Sequence, residues 1–420
     1  MKEKLTQCQY GDIAHLEEYD PLYCLCDELE AETNPYDRTL KHSIAVVKVT
    51  TPTPTNTETM VGIRGAWQPG FTYYAKNNGS NTTYIAVPKS TYISYSDKGT
   101  DGGGFRDFYV AMYDETNHKC TSYKKSRAHG AGGKIEESKI ASVTVSNADE
   151  ILTYDWDGFK GNYEYVNMGN NIGMATMNIG ANSPEDYGYY FRFGEQEGWK
   201  IEGYYTDANN HKAIFVNDTT FKVPLNATNC RQYRNDGIVR TYFSNMEFYS
   251  NSYYGIWGLN SCSIPDTNGD GSYFQGLINK SVNNTTYGDA STYNWGAGWM
   301  TMSSDIITSN NWTTIEETTS PRAGYWLSSN NKTVFWPAAC HCLAHQRQGE
   351  DPLKSHKYCG HYWSVLPKGT EKAYYYNFVI GRVKIEWTDG TSSSSSTTSD
   401  TDGGGRHGGF SIRPICDLSK

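Results

Sequence analysis

The sequence predicts a mostly β chain, and three observations carry that expectation. Tyr (34 residues), Trp (11) and Gly (41) are abundant beside many Asn, Thr and Ser, the composition of half-buried strands joined by polar turns. Short β-branched and aromatic runs recur between Gly, Asn and Asp turns from residue 44 to about residue 153. Apolar residues at helical spacing are scarce beyond residue 160. With 420 residues the chain exceeds one core, so two or three domains are expected.

Residues 1–43 open the chain as a distinct segment, read as an N-terminal attachment region. Its helical spacing through Leu16 and Tyr19 breaks at Pro21, which predicts two short helices, or a helix and a loop. Cys24-Leu25-Cys26 is too tight for a zinc knuckle and reads as packing. Ile44–Thr50 reads as a strand, and Thr51-Pro52-Thr53-Pro54-Thr55 as an extended linker. Further strands are expected at Thr72–Tyr74, Thr83–Val87, Tyr92–Tyr95, Phe108–Tyr113 and Ile140–Val145. Their spacing predicts an immunoglobulin-like β-sandwich over residues 44–158, with Thr153–Lys160 as the link onward.

From Gly161 the texture changes to long Asn, Tyr and Gly loops with brief apolar runs, an irregular α+β domain over residues 161–420. One helix is expected around Met302–Asn310, opened by Ser303-Ser304-Asp305. Ala373–Phe378 and Arg382–Trp387 read as paired strands. Thr391–Gly405 reads as a low-complexity loop, and Phe410–Ile415 as the last strand.

Composition excludes some classes. Lys and Arg total 37 against 46 Asp and Glu, a formal net charge of -9, which supplies no basic face for nucleic acid. No apolar stretch approaches the ~20 residues of a membrane-spanning helix. Met1–Cys8 lacks the apolar core of a signal peptide, so the chain is expected to fold in a cytoplasm or to have lost an export signal. Ten irregularly spaced Cys predict free thiols rather than a disulfide framework.

Chemistry-bearing motifs are incomplete. Asp266, Asn268 and Asp270 match the first half of a calcium loop, but Leu277 stands where a bidentate Glu is needed. No cofactor is expected, with a structural calcium there as the alternative to a plain Asp/Asn/Gly turn. Cys340, His341, Cys342, His345, His356, Cys359 and His361 are zinc-ligand types at no standard spacing. No nucleophile–base motif and no phosphate loop is present, so no enzyme is expected.

Several segments in order carry a resemblance. They are Tyr165–Gly169, Met174–Ala181, Ser183–Phe191, Trp295–Met300, Val334–Ala339, Gly360–Ser364 and Gly409–Ile415. Together they resemble the C-type-lectin-like domains abundant in gut Bacteroides and their phages, of the formylglycine-generating-enzyme subtype. The match spans residues 163–416. It implies a C-type lectin fold with Trp295, Trp299, Trp336 and Trp363 as packing anchors. Within that group, variable proteins of diversity-generating retroelements present a hypervariable surface on a rigid scaffold, and many are phage receptor-binding proteins.

Carried onto this sequence, the resemblance implies a scaffold that includes Tyr362, Trp363 and Phe378. The ligand-contacting residues it implies are His361, Lys368, Tyr375, Val379, Arg382, Lys384, Glu386 and Trp387. Arg382, Lys384 and Glu386 share strand parity and hence one face. Val383 and Ile385 take the other, with Trp387 at the strand end. An ordinary amphipathic edge strand is the alternative. The expected function is non-enzymatic receptor binding in a phage tail. A bacterial surface adhesin or lipoprotein and a formylglycine-generating-type oxidase using Cys340 and Cys342 are the alternatives. Expected partners are a host cell-surface protein or glycan, other tail proteins through the N-terminal region, and further copies of the chain. The expected location is the virion tail or the cell exterior.

Overall fold

The computed structural model of the chain describes residues 9–10, 44–52, 59–64, 69–77, 79–88, 106–127, 140–191, 198–204, 211–215, 280–282, 285–287, 289–302, 306, 310, 312–318, 322–339, 359–368, 372–380, 386–388 and 409–419. The chain divides into two compact units, Met1–Tyr163 and Glu164–Lys420. Both are mostly β.

The first unit contains β1 (Gln9–Tyr10), β2 (Ile44–Thr50), β3 (Thr59–Arg64), β4 (Thr72–Lys76), β5 (Thr82–Pro88), β6 (Arg106–Asp114), β7 (Lys119–Arg127), β8 (Ile140–Thr144), β9 (Glu150–Asp155) and β10 (Gly158–Lys160). Two of its sheets have the strand orders β1-β4-β3-β6-β7-β9 and β5-β2-β8. β2 lies antiparallel to β5 and parallel to β8. The period-2 alternation of the sequence decides the faces. Ala45, Val47 and Val49 of β2, with Ile85, Val87 and Val143, share one buried cluster with Val61, Ile63, Ala75, Val110 and Tyr123 of the larger sheet. The two sheets therefore enclose one core between them.

Two differences from the sequence reading stand out in this unit. Gln9–Tyr10 adds a parallel edge strand on β4, although it lies in the expected attachment segment. Tyr92–Tyr95, residues 11–43 and the Thr53–Thr55 part of the linker lie outside the described residues. Thr153–Lys160 is packed structure that includes part of β9 and all of β10. Tyr154 and Trp156 are buried, and the Phe159 ring stacks on Tyr74 at 4.1 Å with Trp156 edge-on to it. Tyr154 and Trp156 alternate with Asp155 and Asp157, a period-2 signal that the sequence reading passed over.

Arg64 is buried beneath this sheet. Its guanidinium donates to Ser122 Oγ at 2.9 Å and to the Tyr154 hydroxyl, which also accepts from Cys120 Sγ at 3.1 Å. At the outer strand, Lys119 pairs with Asp155 (2.5 Å), Lys125 with Asp149 (2.9 Å) and Lys124 with Glu150 (3.3 Å). Such partly exposed pairs add little stability, but charge along an edge strand discourages sheet-to-sheet association.

The second unit contains β11 (Tyr163–Asn167), β12 (Ile172–Ala175), β13 (Trp199–Tyr204), β14 (His211–Phe215), β15 (Lys280–Val282), β16 (Thr285–Tyr287), α1 (Ala290–Trp295), β17 (Trp299–Thr301), β18 (Thr313–Thr318), β19 (Gly324–Ser329), β20 (Lys332–Pro337), β21 (Cys359–Lys368), β22 (Lys372–Val379), β23 (Glu386–Thr388) and β24 (Pro414–Asp417). Strands β11, β12, β24 and β17 run side by side in that order. Two three-stranded sheets follow, β18-β19-β20 and β21-β22-β23.

Helix α1 is short and was not expected from the sequence. Asp289 caps it, accepting from Thr292 N (3.2 Å), Thr292 Oγ1 (2.8 Å) and Thr301 N (3.0 Å). Burial pushes the Asp289 carboxyl up, and these donors pull it back. In the stretch expected as a helix, Ile306 and Asn310 are described, and Asn310 N donates to Ile306 O at 3.2 Å, the spacing of a helical turn. The last strand begins at Pro414 rather than Phe410, because residues 410–412 instead bond across to Phe191, His361, Trp363 and Ile179.

Candidate functional site

The hairpin β21–β22 and the short strand β23 carry most of the residues expected to contact a ligand. Register places Tyr362 opposite Tyr376, Gly360 opposite Phe378, Trp363 opposite Tyr375 and His361 opposite Asn377. Directly opposed residues share a face. One face thus carries Tyr362, Tyr376 and Phe378, and the other His361, Trp363 and Tyr375.

Both faces are covered. On the first, Tyr376 and Phe378 join Trp336, Tyr325, Met174 and Ile415 in the core cluster of the unit. Trp336 lies 4.6 Å from Tyr362 and 5.5 Å from Tyr376 between ring centroids. Gly360 is required here, because a Cβ would overlap the Phe378 ring. On the second, the closing segment crosses the sheet. Phe410 stacks on Trp363 at 4.1 Å and lies 4.9 Å from Tyr375 and 5.2 Å from His361.

This cover corrects part of the expected contact set. His361 and Tyr375 are only 8% and 6% exposed, so they pack rather than project. The sequence reading assumed one wet face. Phe410, distant in sequence, closes that face. Lys368 sits opposite Lys372, Val379 opposite Cys359, Glu386 opposite Asn377 and Trp387 opposite Tyr376 along the backbone. Arg382, Lys384, Val383 and Ile385 lie outside the described residues, as do Asp266, Asn268 and Asp270 and the Cys340–His356 part of the Cys/His cluster. Among the described residues no three His, Cys, Asp or Glu side chains gather as metal ligands.

Arg413 is a central residue that the sequence reading passed over. It is 1% exposed, with Nη1 on the Ala175 carbonyl (3.0 Å) and Nη2 on the Phe335 carbonyl (2.8 Å). Among the described residues its buried Nε has no hydrogen-bond partner. Burial lowers its pKa to about 10, against the opposing pull of Tyr362. Burial raises Tyr362 to about 12, partly offset by Arg413 and a hydrogen bond from Asn178. At neutral pH the pair is a cation beside a neutral phenol. An Arg inside an otherwise apolar closing segment was the available signal.

The remaining motif segments lock onto this centre. Tyr362 Oη donates to the Pro337 carbonyl (2.5 Å), Trp363 Nε1 to Phe191 O (2.6 Å) and Tyr190 Oη to Ala339 O (2.6 Å). Asn178 Nδ2 donates to Tyr187 O (2.9 Å), and Phe191 and Phe410 exchange backbone bonds. Trp295, Trp299, Trp336 and Trp363 are all buried. No family model, curated protein or solved structure matches the chain.

Proposed function

We propose that the chain is a non-enzymatic attachment protein. Its second unit would be a C-type-lectin-like ligand-binding domain, and its first an immunoglobulin-like spacer. In this reading the protein belongs to a phage tail, binds a host surface protein or glycan, and is diversified by a retroelement in its C-terminal quarter. One observation carries the proposal. The seven segments that bear the resemblance, separated by up to about 250 residues, interlock through buried side chains and main-chain bonds into one core. A rigid core of this kind spares a displayed surface the ordering cost of binding.

The ligand residues of this reading are Lys368, Val379, Arg382, Lys384, Glu386 and Trp387, while His361 and Tyr375 are buried packing residues of the hairpin. The test is binding of labelled full-length chain to a panel of gut Bacteroides strains. Binding to some strains is expected, with Arg382→Ala and Lys384→Ala each weakening it by about tenfold at unchanged unfolding midpoint. Binding to no strain, or undiminished binding by both variants, contradicts the proposal.

A further inference from the structure

Two buried polar atoms of opposite character lie on neighbouring segments of the second unit, and neither has a hydrogen-bond partner among the described residues. Arg413 Nε is a donor, and Asn178 Oδ1 is an acceptor. The two residues are 1% and 0% exposed. Strands β12 and β24 run antiparallel. Beyond the paired residues, Ile179 N donates to Ile412 O at 3.2 Å, which carries Asn178 alongside Arg413.

Both side chains converge on Tyr362. Asn178 Nδ2 donates to Tyr362 Oη at 3.4 Å, and the Arg413 guanidinium interacts with the same hydroxyl. Trp336 backs the group, its centroid 4.6 Å from that of the Tyr362 ring and 5.8 Å from the guanidinium carbon. Arg413 Nη1 and Nη2 are committed to Ala175 O and Phe335 O, and this fork fixes where Nε points.

Turning the Asn178 amide around does not relieve the mismatch. Its Nδ2 donates to the Tyr187 carbonyl at 2.9 Å, an oxygen that also accepts from Ser411 Oγ at 3.3 Å. The reversed amide would set Oδ1 against that carbonyl and leave a buried donor unpaired instead. A buried polar group left unpaired bears its full desolvation cost, so a missing partner for two atoms at one place points to an occupant between them.

The occupant must accept from Arg413 Nε and donate to Asn178 Oδ1. A halide would suit the cation, but it has no proton for Oδ1 and would be repelled there. Water meets both demands. Its second O–H has Tyr362 Oη in reach, which gives its own proton to Pro337 O at 2.5 Å and takes only a long bond from Asn178. That makes three polar partners, the usual number for a buried water. We infer that one structural water bridges Arg413 Nε and Asn178 Oδ1 beside Tyr362. It ties the closing segment to the Met174–Ala181 segment, and it does not depend on what the unit binds.

The test is a crystal structure of the full-length chain, soaked in sodium bromide, at a resolution that shows single waters. One density peak is expected within about 2.7–3.2 Å of both Arg413 Nε and Asn178 Oδ1, with no anomalous bromine signal. A bromine signal there would make the occupant an anion and overturn the inference. So would no peak within reach of both atoms, or Arg413 Nε bonded to a protein oxygen. Should the crystals diffract too weakly, full-length deuterated chain with nitrogen-15 at Arg gives the same answer in solution. A resident water should produce a water-frequency cross-peak to Arg413 Nε–H whose NOE and ROE have opposite signs. A signal without that cross-peak overturns the inference equally.

Discussion

The Arg413 guanidinium lies over the Trp336 indole, 5.8 Å from its centroid, so a buried cation rests on a fully buried aromatic of the second core. The same guanidinium joins segments 238 and 78 residues away in sequence through Ala175 O and Phe335 O. Arg is the side chain whose planar fork can bond two carbonyls and face a ring at once.

Arg413→Lys is therefore expected to destabilise the second unit by about 2 kcal/mol or more, since a point charge cannot replace the fork and leaves a buried carbonyl unpaired. Denaturant unfolding followed by near-UV circular dichroism of residues 164–420 checks this. An unchanged midpoint would show that the two carbonyl bonds contribute nothing net.

Tyr375→Ala should unfold or strongly weaken the second unit, at about 3–5 kcal/mol for a large buried aromatic. Tyr375→Phe, which keeps the buried ring, should cost less. Thermal unfolding of the two variants distinguishes this packing role from a surface role, in which both would melt like the parent.

Much of this was legible in the sequence. Ile44–Thr50 alternates clearly, and the strand has those bounds. The four core tryptophans sit in recognisable Gly- and aromatic-rich motifs, and all are buried. What was not legible has physical causes. Helix α1 rests on one buried cap, Asp289, and has too few residues to show a period. The second cover of β22 comes from Phe410, and no local pattern on β22 reports a residue so far along the chain. Parity alone separates two faces but cannot say that both are dry.

Alkaline pH should act on the first unit through Tyr73, whose hydroxyl burial raises to about 12. An unfolded Tyr ionises near pH 10. The folded state thus holds its proton longer, so this contribution is complete below about pH 10 and is lost between pH 10 and 12. Tyr123 is shifted the same way, by burial first and by Cys120 second. Denaturant midpoints of the first unit should fall between about pH 10 and 12, and Tyr73→Phe should reduce that fall. In the second unit the lowered Arg413 opposes Tyr362, because a cation with depressed pKa gains stability as pH rises through that range. An identical pH slope in Tyr73→Phe would contradict the assignment.

The most direct measurement is the sequencing of sister genes and their neighbourhood from related lineages. The account predicts a nearby reverse transcriptase with a near-identical template repeat. It also predicts differences concentrated between about Trp336 and Gly409, at positions such as Arg382, Lys384, Glu386 and Trp387. Tyr362, Trp363, Tyr375, Phe378 and Arg413 should stay constant, because each is buried in the core. Differences spread evenly along the chain, or concentrated at those buried residues, would contradict it.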